Sequence, residues 1–288
     1  MTGAMLKKWI VNLPAVPLGR ILGRGLYIFD VHHRQIVRRN LEFAYPELER
    51  HQLGDLARRV FQNYGTTILE TLQLGIMTRH DIERRIRLHG AGYLRDVSSQ
   101  QRGFIVVSAH LGNWEIGLQA LSCILNQPVT AVAKRFKNNR FERLLHGIRT
   151  RFGNTILYKK KSLAVMTQVL RRGGVLAILV DMARRKDGVD ISFFGKKATA
   201  TPAVAMLALR CRCPVIPMFC IRESDGGLEI YAEPAVAMRR SNDLRADLVE
   251  NTQRITYVVE RMIRQHPEQG QWIMRRWKEH YPELYEQK

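Results

Sequence analysis

Residues 104–115 read Phe-Ile-Val-Val-Ser-Ala-His-Leu-Gly-Asn-Trp-Glu, an apolar run that ends in a histidine and is followed by a Gly-Asn break. The run predicts a buried strand, and the residues from 114 to 125 predict a helix that begins after the turn. His110 and Glu115 would diverge on one continuous helix, because residues three or four apart share a helical face. They can converge if His110 lies at the exit of the strand and Glu115 lies in the first helical turn.

A histidine beside a carboxylate has the chemistry of a general base. The imidazole takes a proton from a hydroxyl, while the carboxylate fixes the tautomer and stabilises the imidazolium. The spacing alone is weak, since 9 His and 26 acidic residues in 288 positions give about one such pair by chance. The context adds weight, because free N–H groups at a helix N-terminus can receive an oxyanion. The alternative is a strand-end histidine bonded to a helix cap, and the local pattern leaves both readings open.

Strand and helix patterns alternate after residue 104, which predicts an α/β fold with a mixed central sheet flanked by helices. The first hundred residues are mainly helical in pattern, with helices predicted near 33–43 and 46–74. No internal repeat or low-complexity linker divides the chain, so we predict a single domain over 32–288. The predicted strands are 104–108, 129–133, 155–158, 175–180, 215–221 and 228–232, and the later helices are 114–125, 139–151, 162–171, 202–211 and 243–265.

Residues 1–31 form an apolar segment with basic edges. No uninterrupted apolar run reaches the roughly 18–20 residues that a membrane span needs, because Pro14, Pro17, Arg20 and Arg24 break the stretch. The pattern suits an interfacial anchor in a lipid headgroup layer. The alternative is a helix packed on the protein's own core. We predict a membrane-associating segment.

The charge of the chain is unusual, because 46 basic against 26 acidic residues give a formal net charge of +20. Such an excess favours an anionic partner: nucleic acid, an anionic membrane surface or an acidic protein. Four cysteines are too few for a disulfide framework in a chain of this length, and they predict buried thiols in a reducing, cytosol-facing location. Cys211 and Cys213 lack a partner pair at ligand spacing, so no metal site is expected.

Several common catalytic signatures are missing from the sequence. It contains no G-x-x-x-x-G-K-[ST] phosphate loop, and its Gly19/Gly23/Gly25 cluster does not follow a strand as a dinucleotide fingerprint would. It also contains no G-x-S-x-G nucleophile elbow. A base without a neighbouring nucleophilic Ser or Cys indicates direct transfer, in which a substrate hydroxyl attacks an activated acyl group and no acyl-enzyme forms.

Six further motifs accompany the His-x4-Glu pair. They are Arg-Asn-Leu-Glu-Phe-Ala-Tyr-Pro at 39–46, Asp181 at a strand end, Gly-Val-Asp-Ile-Ser-Phe-Phe-Gly at 188–195, Ala-Thr-Pro at 200–202, Pro-Val-Ile-Pro at 214–217 and Gln-Trp-Ile-Met-Arg-Arg-Trp-Lys at 271–278. With these motifs the chain resembles the bacterial lipid A biosynthesis acyltransferases, within the lysophospholipid acyltransferase superfamily. The resemblance extends over nearly the whole chain and keeps the order of the motifs.

The resemblance implies transfer of a fatty acyl chain from acyl carrier protein to a hydroxyl of a lipid A precursor, at the cytoplasmic face of the bacterial inner membrane. It implies His110 as the base with Glu115 as its partner, and Arg149 and Asp181 as further active-site residues. Asn113 is a further substrate-binding candidate. No cofactor or metal is expected, since acyl carrier protein enters as a co-substrate. The partners expected are therefore the carrier protein, an anionic glycolipid and the membrane surface.

Three other functions compete with this one. Glycerolipid acyltransferases typically carry a Glu-Gly-Thr-Arg block after the third strand, and this chain has Asp-Met-Ala-Arg-Arg at 181–185 instead. Acylation of another glycolipid, such as a mannoside, is compatible with every motif above. Nucleic-acid binding rests on charge alone, because no recognised module is present, and we expect no nucleic-acid partner.

Overall fold

The strand that carries His110 lies near the centre of a seven-stranded sheet in the computed structural model, which describes residues 11, 13–158, 162–183 and 187–286. The order of the strands is β1-β9-β8-β2-β5-β3-β4. Neighbours pair in parallel except β8 and β9, so the sheet is mixed, as predicted. The strands are β1 (Ile86–His89), β2 (Phe104–Ser108), β3 (Val129–Ala133), β4 (Thr155–Tyr158), β5 (Val175–Leu179), β6 (Val189–Phe193), β7 (Lys196–Ala200), β8 (Val215–Arg222) and β9 (Leu228–Ala232).

The six predicted strands are confirmed to within one residue at each end, whereas three strands were not foreseen. Strand β1 has only four residues and alternates half-buried with exposed positions at the sheet edge, so its apolar signal is weak. Strands β6 and β7 form a separate antiparallel hairpin. Its turn is unusual, because Phe194 and Gly195 have φ of 55° and 70° and a bulky residue rarely adopts such angles.

Helices cover both faces of the sheet, as predicted for an α/β fold. Adjacent residues of β2 point to opposite faces, so Ile105 and Val107 belong to one hydrophobic cluster while Phe104 and Val106 belong to another. Both faces are therefore buried. The helices are α1 (Ala15–Phe29), α2 (Val31–Ala44), α3 (Arg50–Leu74), α4 (Arg79–Arg85), α5 (Ala91–Ser99), α6 (Trp114–Leu125), α7 (Asn139–Thr150), α8 (Ser162–Arg171), α9 (Ala203–Cys211) and α10 (Leu244–Gln265).

Helix α1 has two different faces. Its buried face packs on α3 through Gly19, Gly23 and Gly65, where the backbones come so close that a Cβ on Gly23 would lie 2.3 Å from the Phe61 carbonyl oxygen. Its other face exposes large apolar side chains, with Phe29 84% exposed. The helix thus packs on the protein with one face and exposes apolar side chains on the other, and membrane association of the segment stays a prediction. The rest of the predicted segment, residues 1–10 and 12, lies outside the described residues.

Across the described ranges, each helix is too short or too polar to cross a lipid bilayer.

The motifs near the two ends of the chain and the 188–195 motif meet in one aromatic cluster. The Phe194 ring contacts Tyr45 and Trp272, at centroid distances of 5.3 and 5.5 Å. Asn40 is fully buried, and its Nδ2 donates to the Trp272 carbonyl at 2.6 Å. The hairpin turn is therefore held by residues from helix α2 and from the C-terminal segment.

Candidate active site

His110 and Asp181 lie at the same edge of the sheet because of strand register. In the parallel pair β2/β5, Ser108 is opposite Leu179, and the Val180 amide continues the ladder by donating to the Ser108 carbonyl at 3.0 Å. His110 and Asp181 each follow the paired residues by two positions, so they leave the sheet side by side at its carboxyl end. Ligands of α/β sheets bind at this edge.

Asp181 holds His110 by two hydrogen bonds. The His110 ring donates from Nδ1 to Oδ1 of Asp181 at 2.9 Å, and the His110 backbone amide donates to Oδ2 at 3.0 Å. The two contacts fix both the position of the residue and the rotation of its ring. The Asp181 side chain is 8% exposed and that of His110 is 23% exposed. Nε2 is thus the ring nitrogen left to accept a proton from outside the pair.

The two groups shift each other's pKa in opposite directions. Burial disfavours the imidazolium, but the charge of Asp181 and its hydrogen bond prevail and raise the pKa of His110 above the ordinary value of 6.5. Burial also disfavours the charged form of Asp181. The charge of His110 and the hydrogen bonds to it outweigh burial, so the pKa of Asp181 is lowered. The pair is therefore arranged to accept a proton on histidine while the carboxylate stays ionised.

Glu115 contacts Arg149 rather than the histidine ring. The Arg149 Nε donates to both Glu115 oxygens, at 3.1 and 2.9 Å, and Nη2 adds a further bond to Oε1. The Trp114 indole also donates to Glu115 at 3.1 Å, and its ring lies 5.1 Å from that of His110. The prediction of Glu115 as the acid that fixes the His110 tautomer differs from this geometry, because Asp181 occupies that position.

Arg149 comes from the last turn of α7 and reaches the first turn of α6. Burial opposes its charge, but the Glu115 carboxylate prevails and raises the pKa of Arg149. The Nε and Nη2 edge of the guanidinium is taken by Glu115, which leaves Nη1 as the donor outside the pair. The structure thus places Arg149 against Glu115, and its role as an active-site residue that binds substrate stays a prediction.

Asn113 is fully buried and its side-chain amide bonds within the protein at both ends. Its Oδ1 caps α6 by accepting from the Ile116 amide at 3.0 Å, and its Nδ2 donates to Glu70 at 2.8 Å. Because the oxygen and the nitrogen of the side-chain amide both have partners within the protein, this geometry does not match the predicted substrate-binding role. The residue positions the turn between His110 and Glu115 instead.

Two amides that were candidates for holding an oxyanion are also engaged. Gly112 donates to the Gln269 carbonyl at 3.1 Å and Asn113 donates to the Cys220 carbonyl at 3.0 Å. Gly112 has a φ of 60°, and a Cβ there would lie 2.0 Å from the Cys220 oxygen, so the turn requires glycine. These bonds leave Arg149 Nη1, and the amides of Trp114 and Glu115 in the first turn of α6, as the donors that remain for an oxyanion.

Sequence reasoning missed a buried ion pair beneath this turn. Arg222, at the end of β8, donates through Nε to Glu70 at 2.9 Å, and the two side chains are 8% and 5% exposed. Glu70 in turn accepts from Asn113. The only local signal is a carboxylate on the apolar face of α3, because the partner lies 152 residues away in the chain.

Within the described residues, no group of three His, Cys, Asp or Glu side chains is placed to hold a metal ion.

The chain is similar to acyltransferases of lipid A biosynthesis. It is 26% identical over 275 residues to the lipid A biosynthesis lauroyltransferase of Escherichia coli, covering 93% of this chain and 88% of the relative. A lipid A biosynthesis acyltransferase of Haemophilus influenzae is 26% identical over 297 residues, covering 99% and 93%. A phosphatidylinositol mannoside acyltransferase of Mycolicibacterium smegmatis is 23% identical over 203 residues, covering 68% and 66%.

The model of the bacterial lipid A biosynthesis acyltransferase family matches residues 3–279, nearly the whole chain, and the protein belongs to that family.

Proposed function

We propose that this acyltransferase moves a fatty acyl chain from acyl carrier protein to a hydroxyl of a lipid A precursor of the Kdo-lipid A type, with His110 as the general base. The observation that carries the proposal is the bond between His110 and Asp181 at the carboxyl edge of the sheet, in a chain of this family. The ring nitrogen opposite that bond is positioned for a proton that arrives from a substrate hydroxyl.

The reaction is a direct transfer. Nε2 of His110 takes the proton of the acceptor O–H as the oxygen attacks the thioester carbonyl carbon. The tetrahedral intermediate then collapses, the C–S bond breaks, and the leaving thiolate takes the proton back from Nε2. Asp181 stabilises the imidazolium between the two steps, and Arg149 Nη1 stabilises the oxyanion.

Glu115 acts in this scheme through Arg149. Three bonds to Glu115 fix the plane of the guanidinium, so the remaining donor keeps one direction. The charge of Glu115 also favours the protonated form of His110. The functional pair in His-x4-Glu therefore consists of a base and a residue that orients a cation beside it.

An exposed basic and aromatic surface next to the site supports anionic partners. It comprises residues 134–144, which lead into and form the first half of α7, the helix that carries Arg149. Phe136 and Phe141 contact each other at 4.9 Å and are 45% and 44% exposed. Acyl carrier proteins are acidic and lipid A precursors carry phosphates, so this surface and the net charge of +20 suit both. The location that follows is peripheral, at the cytoplasmic face of the inner membrane.

The direct test is incubation of the purified protein with acyl carriers of several chain lengths and Kdo-lipid A precursors, read by mass spectrometry. We expect one added acyl chain with the wild type, and a loss of at least about 10²-fold with His110→Gln. Undiminished transfer by a folded His110→Gln variant contradicts the base assignment. Transfer from a coenzyme A thioester but not from the carrier contradicts the donor.

A second acceptor is favoured by one specific observation, the similarity to the phosphatidylinositol mannoside acyltransferase. Phosphatidylinositol mannosides therefore belong in the same assay. Preferential acylation of a mannoside over the lipid A precursor would replace the acceptor and leave the His110 chemistry unchanged.

A further inference from the structure

A second cation lies near the proposed catalytic pair, because Arg276, in the 271–278 motif near the C-terminus, lines a cavity together with Asp181. The Arg276 side chain is buried, and the residue is 7% exposed. Its Nη1 donates to the Thr199 carbonyl at 2.7 Å, and its guanidinium lies over the Phe193 ring at 4.8 Å from the centroid. These contacts fix the guanidinium but do not neutralise its charge.

Two donors of this guanidinium are unused by the protein. Nε and Nη2 of Arg276 are buried without a hydrogen-bond partner among the described residues, and so is Oε1 of Gln271. Buried donors of a charged group are rarely left without partners, because their desolvation is costly. Such an arrangement persists where the charge serves a purpose other than stability.

Arg276 and Gln271 line one small cavity together with Asp181. The cavity measures about 30 Å³, which suits a few water molecules and excludes an acyl chain or a sugar ring. Its remaining walls are mostly apolar, and they include Trp272 and Trp277. The cation and the carboxylate therefore border the same water-sized space, and its mostly apolar walls screen charges weakly.

We infer that Arg276 is a positioning residue for the proposed reaction: its buried charge, beside the cavity that Asp181 also lines, keeps that carboxylate ionised and bonded to His110. The inference rests on the proposed function of His110 as the base. The guanidinium contacts Thr199 and Phe193, so its proposed role is exerted on Asp181 and not by contact with a reactant.

The physical need for such a cation follows from the burial of the pair. A buried imidazolium and carboxylate can become two neutral groups if the proton moves from the histidine to the acid. The neutral acid then no longer stabilises the imidazolium. A third charge, positive and close to the acid, favours the ionised carboxylate.

Both positive and negative charges act on His110, Asp181 and Arg276. Burial lowers the pKa of Arg276 to about 10, and the Asp181 charge opposes that shift, so the guanidinium remains charged at neutral pH. Among the described residues, Glu115 and Arg149 also act on His110, Tyr285 also acts on Arg276, and the Asp181 charge also acts on Tyr64.

The sign of the effect is independent of which group holds the proton. The deprotonated pair has a charge of −1, and a nearby cation stabilises it relative to the neutral, singly protonated pair. Removing the cation therefore raises the apparent pKa of the pair. We expect an upward shift of roughly one unit in Arg276→Met and Arg276→Gln. Arg276→Lys keeps the charge and is expected to titrate close to the wild type.

The test is an NMR titration of the His110 ring in the full-length protein, with His110→Gln used to identify its resonance. Arg275→Met is the matched control, because Arg275 is the adjacent residue and is only half-buried. The expected result is a raised His110 pKa in the two neutral Arg276 variants and unchanged values in the Lys variant and the control. An unshifted titration in a folded neutral variant overturns the inference.

The activity profile gives a second reading. In the neutral variants, the pKa that defines the acid limb of kcat/KM is expected to rise by the same unit. Below that pKa, kcat/KM should fall by up to about tenfold, and at high pH it should recover. A uniform loss at every pH would mark a structural role and overturn the inference, as would unfolding of both neutral variants. If the His110 titration shifts but the wild type transfers no acyl chain, the coupling between Arg276 and the His110–Asp181 pair stands and the proposed function is rejected.

Discussion

At the scale of single residues, the two carboxylates of the site have different contacts and should have different mutational signatures. Asp181 bonds to the His110 ring and amide, whereas Glu115 bonds to Arg149. Asp181 thus affects the base directly and Glu115 affects it through space and through a cation.

Asp181→Asn tests this difference. The amide keeps a hydrogen bond but cannot balance an imidazolium, so kcat should fall by about two to four orders of magnitude. The carboxylate raises the pKa of His110, so its removal should also move the acid limb of kcat/KM to lower pH. Rates measured over a pH series will show both effects. Glu115→Gln is the comparison. If its acid limb moves further down than that of Asp181→Asn, the assignment of Asp181 as the main carboxylate partner of His110 is contradicted.

At the scale of elements, the turn between β2 and α6 is supported from below by a buried network. Asn113 joins the turn to Glu70 on α3, and Glu70 pairs with Arg222 on β8. Three elements are thus tied to the residues between the base and Glu115. A carboxylate under an active-site turn serves here to hold the turn.

Glu70→Gln is expected to destabilise the protein by about 3 kcal/mol, because it leaves Arg222 buried and uncompensated. Equilibrium urea unfolding measures the free energy, and kcat should fall as the turn loosens. Asp55→Asn is a suitable control, since Asp55 forms an exposed pair with Arg58 and exposed pairs contribute little. Equal effects of the two substitutions would show that the buried pair does not support the turn.

The contact of α1 with α3 depends on glycine. A Cβ at Gly23 would clash with the α3 backbone, so Gly23→Ala should cost about 1–3 kcal/mol and expose α1 to proteases. Gly25→Ala is the matched control, because nothing lies within 4 Å of its Cβ. That variant should gain up to about 1 kcal/mol from helix propensity. Thermal unfolding and limited proteolysis measure both, and a tolerant Gly23→Ala would contradict the close packing.

At the scale of the whole molecule, the proposed membrane association rests on two features, the net charge of +20 and the exposed apolar face of α1. Ile21, Ile28 and Phe29 on that face are 63%, 59% and 84% exposed. Large exposed apolar groups with basic neighbours favour the surface of an anionic bilayer.

Vesicle sedimentation tests this association. The wild type should bind anionic vesicles more tightly than neutral ones and should bind less at high salt. The triple substitution Ile21→Ser, Ile28→Ser and Phe29→Ser should weaken binding by at least about tenfold. Leu244→Ser with Tyr257→Ser is the control, since both residues are 61% exposed and lie on α10. Equal loss in the control would show that α1 has no special part.

The sequence by itself determined the alternation of strands and helices, the position of His110 at the end of β2 and the family of the protein. These features follow from local periodicity and from motifs that keep their order along the chain. Only the tertiary structure decided which charges meet. Asp181 contacts His110, Arg276 lines a cavity together with Asp181, and Arg222 pairs with Glu70 beneath the turn, because parallel register and chain reversals join residues 71 to 152 positions apart. No local pattern encodes such distances, since they arise from the packing of the whole sheet.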